Sequence, residues 1–459
     1  MTHPAPGEPL ASPTELTAQV TEGRFKRVLG TPSLVLFGLV YMVPLTAFTT
    51  YGIVTQLTGG RVPITYVITL VAMVFTARSY SRMSVAYPYS GSAYIYTQQS
   101  FGGAIGFLAG WALLLDYLFL PMINYLIVGL YMNQTFPSIP NWVWIVGAIL
   151  LVTVLNVIGI VSVARANFVI IAVQTIFIIA FVVFAIGSAT GHHVDPLLPF
   201  RGDGTVTGLG PLFQGAAILC LSFLGFDSVS TLSEEAKDST RTVPRAIMIT
   251  TITAGVIFIL LAYFSQWAFP SNKFTSPDTA SIEVVASLGQ QWLSVLFIAG
   301  FVAGGMGSAL TSQASVARIL FAMGRDGVLP SAIFGRLNKR FGTPVIPILI
   351  VSVVSLYAAF ADLLTISNMI SFGALIAFSC VNLATFKHYF IDRGERSGWH
   401  AVNNLVLPGI GFALTVWLWT NLTGMTFVVG LSWLAIGFIL LLIVTRFFRR
   451  PTPTLDLKE

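Results

Sequence analysis

The chain has 459 residues, 55% of them hydrophobic and 9% charged, with a formal net charge of +6. Soluble domains average about 25% charged residues, so a soluble fold of this composition could not cover its surface with polar groups. The basic residues form no patch, which argues against a nucleic-acid surface, and Cys220 and Cys380 sit in separate apolar runs with no metal-ligand or redox spacing.

Residues 1–32 are polar and carry Pro4, Pro6, Pro9 and Pro13. No short apolar run with a small-residue cleavage site appears there, so the segment reads as a cytoplasmic tail rather than a signal peptide. Twelve apolar runs follow, each near the length of about 20 residues that a spanning helix needs. They cover 33–57, 63–83, 103–132, 142–161, 166–189, 211–232, 245–269, 291–323, 345–361, 366–386, 403–422 and 425–448. Period-2 alternation is absent, and the runs are too long for barrel strands. The expected fold class is an all-α membrane protein of twelve transmembrane helices, with a transporter region at 33–448 and a short cytoplasmic tail at 449–459.

The loops test this count independently. With the N-terminus inside, 21 of the 24 Lys and Arg fall on the cytoplasmic side, and only Arg61, Arg201 and Lys273 fall outside. A wrong helix count would scramble that partition, so the positive-inside rule places both termini in the cytoplasm and a large outer loop at about 191–210. The protein is expected in the cell membrane, with the lipid bilayer and a small-molecule substrate as its partners.

Two of the runs look broken. The first reads GLVYMVPLTAFTTYG, with Pro44 between Gly38 and Gly52; the sixth reads ILCLSFLGFDSVSTLSEE, with Gly225 and Asp227 near mid-span and then a dense Ser/Thr run. Proline removes a helical donor and clashes with the preceding turn. Unwound backbone survives at membrane depth only where it lines a cavity or is buried in protein, and interrupted spans at matching places in two halves point to a transport site. Breaks are expected near 43–46 and 223–227. A plain proline kink and a packing glycine are the bland alternative.

Ionisable groups inside spans are costly and functional by default. Two are deep, Asp116 and Asp227, and no Lys or Arg lies at comparable depth. Such a cavity suits an ammonium group or a proton, and disfavours an anion. Asp227 follows the suspected break and is the stronger candidate; its alternative role is to cap the broken helix. Tyr117 adjoins Asp116 and points about 100° away on a helix, so one of the two faces the site; Tyr117 offers a ring face and a hydroxyl. Phe223 and Phe226 flank Gly225 as gates, cation–π walls or ordinary packing. Tyr41, Val43, Pro44 and Thr46 line the first break, while Ser308, Thr311, Ser312 and Ser371 add polar contacts or plain helix–helix contacts.

Other features carry less. Glu234 and Glu235 beside Lys237 and Arg241 suit either a gate ion-pair network or a solvated loop. Arg325-Asp326-Gly327 reads as a turn, and His192-His193 as solvated residues rather than metal ligands. No G-x-x-x-x-G-K-[ST] run occurs, so ATP drive is unsupported, and the Gly202-x-Gly204 pair in an outer loop is no dinucleotide fingerprint. No cofactor is expected other than a coupling proton. A membrane enzyme would need a nucleophile, base or metal cluster at span depth, and a non-transporting sensor would carry an appended soluble domain; neither pattern is present.

Three stretches resemble the amino acid–polyamine–organocation permeases: GSAYIYTQQSFGGAIGFLAGW (91–111), FLGFDSVSTLSEEAKDSTRTVPRAI (223–247) and SVARILFAMGRDGVLP (315–330). Within that family, LLDYLFLPMIN (114–124) and SFLGFDSVSTLSEE look like the bacterial putrescine importers. The resemblance implies two inverted five-helix repeats, about 33–189 and 211–386, with two further helices at about 403–448. It also implies proton-driven secondary transport of putrescine or a related small amine, with a neutral or cationic amino acid as the alternative cargo, and an acidic functional group at Asp227. The chain departs from the family pattern in three places. Tyr41-Met42-Val43-Pro44 replaces the Gly-Ser-Gly-like stretch that holds a substrate carboxylate, Thr49 stands where the importers tend to have an acid, and the fifth span has no lysine to mimic a sodium ion.

Overall fold

The computed structural model describes residues 27, 29–89, 92–158, 163–190, 195–325, 329–338 and 340–449. Most of the two tails, the His192-His193 pair and the Asp326-Gly327 turn lie outside the described residues. Among the described residues the fold is helical throughout, without a strand; a lone parallel bridge joins Leu29 to Ala236. In lipid a backbone must satisfy its own hydrogen bonds, and helices do so within one segment.

The first apolar run gives α1 (Thr31–Met42), a 3-10 turn (Pro44–Phe48) and α2 (Tyr51–Thr58). Then come α3 (Val62–Ala86), α4 (Ser92–Phe101), α5 (Gly103–Thr135), α6 (Asn141–Ile158) and α7 (Val163–Thr190). The sixth run holds α8 (Gly210–Leu219) and two 3-10 stretches (Cys220–Phe223 and Ser228–Glu235). After it follow α9 (Ser239–Ala268), α10 (Gln291–Arg325), α11 (Val345–Ser355), α12 (Leu363–Thr385), α13 (Leu407–Thr420) and α14 (Gly424–Val444).

Eleven of these helical segments are long and apolar enough to cross a membrane. The expected ninth span differs from the rest. Val345–Ala359 is a shorter apolar helix, and it tightens into a 3-10 turn at Leu356–Ala359. At 1.5 Å per residue it falls short of a hydrocarbon core about 30 Å thick. Asp362 then caps α12 by accepting from the Thr365 N–H at 2.8 Å. The chain is thus an all-helical, multi-pass membrane protein.

Burial sorts the segments into an inner and an outer set. The apolar windows of Gly210–Glu235 and Gly103–Thr135 are 89% and 83% buried by protein, against 17% for Gly424–Val444. The broken sixth segment and α5 are therefore central, while α14 presents its surface outward. α9 packs along α3, and both α10 and α12 pack along α5.

Both interruptions fall where the sequence places them. α1 stops at Met42, Val43 takes φ +52°, and Pro44 restarts the chain as a 3-10 turn. Thr46 donates its hydroxyl to the Met42 and Val43 carbonyls, both at 2.6 Å. In the sixth segment Leu224 is extended and Gly225 takes φ +131°. The Ser/Thr run after it caps successive carbonyls: Ser228 to Gly225, Ser230 to Asp227, Thr231 to Ser228 and Ser233 to Ser230, each at 2.6 Å. These hydroxyls replace donors that the broken helix lacks. Where this segment passes into α9, Arg241 pairs with Asp238 at 3.8 Å, and the Glu235 carbonyl accepts from the Leu29 N–H at 3.0 Å.

Candidate functional site

The two breaks touch. A Cβ on Gly225 would lie 2.9 Å from Met42 Cγ and from Tyr41 Cδ1, and 3.1 Å from the Met42 nitrogen. Only glycine allows this approach together with a positive φ. Two cavities open beside the contact and share Tyr41, Val43 and Ser308. One lies between Thr46, Thr49, Leu120, Asn124, Leu224 and Phe301. The other runs along α1, α7 and α10 past Phe37, Ile171, Gln174 and Thr311.

The first cavity ends on an aromatic plug. Phe48 lies 5.4 Å from Phe181 and 5.2 Å from Phe297, ring to ring, and Phe301 lies 5.5 Å from Phe297 and 4.7 Å from Tyr131. All five side chains are buried. The second cavity leads the other way, toward the start of α1.

Of the residues expected at the site, Tyr41, Val43, Thr46, Ser308 and Thr311 line these cavities, and Gly225 forms their wall from behind. Neither cavity is lined by Pro44, Asp116, Tyr117, Phe223, Phe226, Asp227, Ser312 or Ser371. Phe223 packs on Phe258 (5.3 Å) and Phe226 on Tyr80 (5.5 Å) and Phe378 (5.2 Å), so both act as core rings. Ser312 bonds back to the Ser308 carbonyl at 2.7 Å.

Asp227 does not face open space. It is 5% exposed, and its Oδ1 accepts the Gly225 N–H at 3.2 Å, which makes it a clasp of the break. Asp116, 4% exposed, has an Oδ1 with no hydrogen-bond partner. The Tyr41 hydroxyl and Ser371 Oγ are buried without partners as well. Asp116 lies within electrostatic range of Asp227, and both act on Tyr41, Tyr80 and Tyr117. Asp116 and Tyr117 thus belong to one polar layer, although they are neighbours on a single helix. Five residues later Pro121 lies inside α5; having no N–H, it leaves the Tyr117 carbonyl without its helical donor.

Sequence reasoning missed Tyr80, Asn124 and Gln174. Asn124 donates to Ser308 Oγ at 3.0 Å and to the Leu120 carbonyl at 2.8 Å. Gln174 donates to the Gly300 carbonyl at 3.4 Å, and its Oε1 is buried without a partner. An amide in mid-span was the available signal in both cases. Among the described residues no group of three His, Cys, Asp or Glu could hold a metal. The layer can accept hydrogen bonds, exchange protons and balance a cation; nothing in it balances an anion.

The chain matches the amino acid permease family over residues 30–458. It is 39% identical over 446 residues to the low-affinity putrescine importer PlaP of Escherichia coli (strain K12), covering 95% of this chain and 98% of that one. The methylthioribose transporter of Bacillus subtilis (strain 168) is 26% identical over 94% of this chain and 96% of its own length. The branched-chain amino acid permease BcaP of the same strain is 24% identical over the same shares. From its apolar helices, its two touching breaks and this match along nearly its whole length, the chain belongs to the amino acid permease family and is a membrane transporter, not an enzyme.

Proposed function

We propose that this permease imports putrescine or a related small amine across the cell membrane by proton symport. The observation that carries the reading is the polar layer. Asp116 and Asp227 lie buried within range of each other among tyrosines, and among the described residues no Lys, Arg or His acts on either carboxyl. An ionised pair at this depth is costly unless a cation or a proton joins it. A diamine carries charge of the sign that two buried carboxyls favour, and its short apolar stem suits Leu120, Leu224 and Phe301 in the first cavity. The name of the E. coli relative agrees with this chemistry.

The same reading takes Val345–Ala359 as a twelfth, shortened crossing, with both termini in the cytoplasm and two inverted five-helix repeats at about 33–189 and 211–386. The partition of Lys and Arg supports this orientation. The apolar lining of the first cavity also favours a second reading, a neutral amino acid as cargo. The test is uptake of labelled putrescine into proteoliposomes, with and without an inward proton gradient, against unlabelled leucine, arginine and putrescine. Gradient-stimulated uptake, displaced by putrescine and not by leucine, is expected. Uptake of leucine with no uptake of putrescine would overturn the amine reading.

A further inference from the structure

We propose that Asp116 is the carboxyl that takes up and releases the coupled proton, and that Asp227 is the fixed clasp of the sixth segment. The assignment rests on the proposed proton-coupled transport and divides labour between its two carboxyls.

The two groups differ in what they already hold. Asp227 accepts the N–H of Gly225, the residue whose φ of +131° makes the turn, so its oxygen is engaged in keeping the break. Asp116 Oδ1 has no donor at all. A buried carboxylate without a donor must find a proton or a cation. On its far side the site is closed by α12. A Cβ on Gly373 would fall 2.4 Å from the Ala112 carbonyl oxygen and 3.1 Å from the Asp116 nitrogen, so the two helices meet backbone to backbone at this turn. On its near side stands Tyr41. Its hydroxyl is buried and unpartnered, it lines both cavities, and it lies within electrostatic range of both carboxyls. Tyr41 therefore joins both cavities to the carboxyl layer, without a hydrogen bond to either acid.

The titratable groups within electrostatic range of Asp116 are Asp227 on the sixth segment, Tyr41 on α1, Tyr80 on α3 and Tyr117 on α5 itself, with Tyr96 on α4 in range of Asp227. From α12, Ser371 and Asn368 add buried, unpartnered polar atoms without charge, and α14 brings no acid or base. Arg318 on α10 is exposed near the end of that helix. The step is a protonation alone. One O–H bond forms at Asp116 as a hydronium ion gives up its proton on one side of the membrane, and the same bond breaks to water on the other side.

Asn resembles the protonated acid but cannot release a proton. Asp116→Asn is expected to lose the stimulation of net uptake by a proton gradient. It should still exchange internal for external labelled amine, with a flat pH profile between about pH 5 and 8 where the parent's is sloped. Asp227→Asn, whose amide oxygen can still accept from Gly225, is expected to keep the gradient response whatever its rate. Asp116→Glu restores the response with a displaced midpoint, and it carries the test if the Asn variant does not reach the membrane. A gradient response retained in Asp116→Asn, one lost in Asp227→Asn alone, or an undisplaced midpoint in Asp116→Glu overturns the assignment. So does a parent whose uptake of every substrate ignores the gradient. If the parent ignores putrescine but concentrates leucine in response to the gradient, the amine reading fails and the same variants judge Asp116 with leucine.

Discussion

Gly225→Ala is the substitution that most directly probes the meeting of the two breaks. The added methyl group must adopt φ +131°, a conformation that costs a non-glycine residue about 1–3 kcal/mol. It also lands 2.9 Å from Tyr41 Cδ1 and Met42 Cγ and 3.1 Å from the Met42 nitrogen. Side-chain tips can swing aside, but a backbone nitrogen cannot, and over-packing of this kind costs about 1–3 kcal/mol more. The total, about 2–6 kcal/mol, exceeds a ten-fold change in an equilibrium. We expect a lower melting temperature in detergent and uptake reduced at least about ten-fold at matched expression. Gly204→Ala is the control. Gly204 has φ +78° with nothing within 4 Å of the added carbon, so it meets the conformational cost without the collision. If Gly225→Ala melted and transported like the parent, or no worse than Gly204→Ala, the two breaks would not be in the contact described.

Asn124→Leu removes the amide that bonds Ser308 Oγ and leaves that hydroxyl unpaired in the cavity wall; we expect the KM for amine uptake to rise about ten-fold, about 1.4 kcal/mol, and an unchanged KM would remove Asn124 from the site. Asp203, on the loop between α7 and α8, accepts from the Thr205 N–H and hydroxyl and, through its other oxygen, from Asn272. Partial burial pushes its carboxyl up, but these bonds outweigh that and hold it below the ordinary carboxylate range. A depressed carboxyl stabilises the fold above its unfolded value of about 3.9, and the effect is lost as pH falls through the folded value. Asp203→Asn should therefore melt below the parent at pH 7 and with it near pH 3; an equal gap at both values would refute the linkage.

How much of this protein was legible in its sequence depends on whether the cause was local. Membrane depth demands long apolar runs, and the run lengths and basic loops announced nearly every helix. Pro44 cannot donate a hydrogen bond and Gly225 can take a positive φ, so both breaks were visible where they occur. The Ser/Thr run after Asp227 was visible too, although its use, hydroxyls capping successive carbonyls, emerged only from the folded backbone. The ninth run shows the limit from the other side: its residues are apolar as far as Ala361, but the α-helix ends at Ser355 and tightens into a 3-10 turn.

The site was legible as an inventory and not as an arrangement. That Asp116 and Asp227 are deep and lack basic company follows from position in the chain. Which of them is held does not, because that is set by one contact across a turn, Gly225 to Asp227, while Asp116 Oδ1 finds no hydrogen-bond partner among the described residues. Phe223 and Phe226 flank a break, so their sequence positions suited gates, cation–π walls or ordinary packing alike. Tertiary packing made them core rings and formed the plug from Phe48, Phe181, Phe297, Phe301 and Tyr131, which come from four distant parts of the chain. Hydrophobicity and backbone chemistry act residue by residue, so the sequence by itself determined the helices, their breaks and the sign of charge the core can hold. Partnership between side chains depends on which helices meet, and only the tertiary structure decided that.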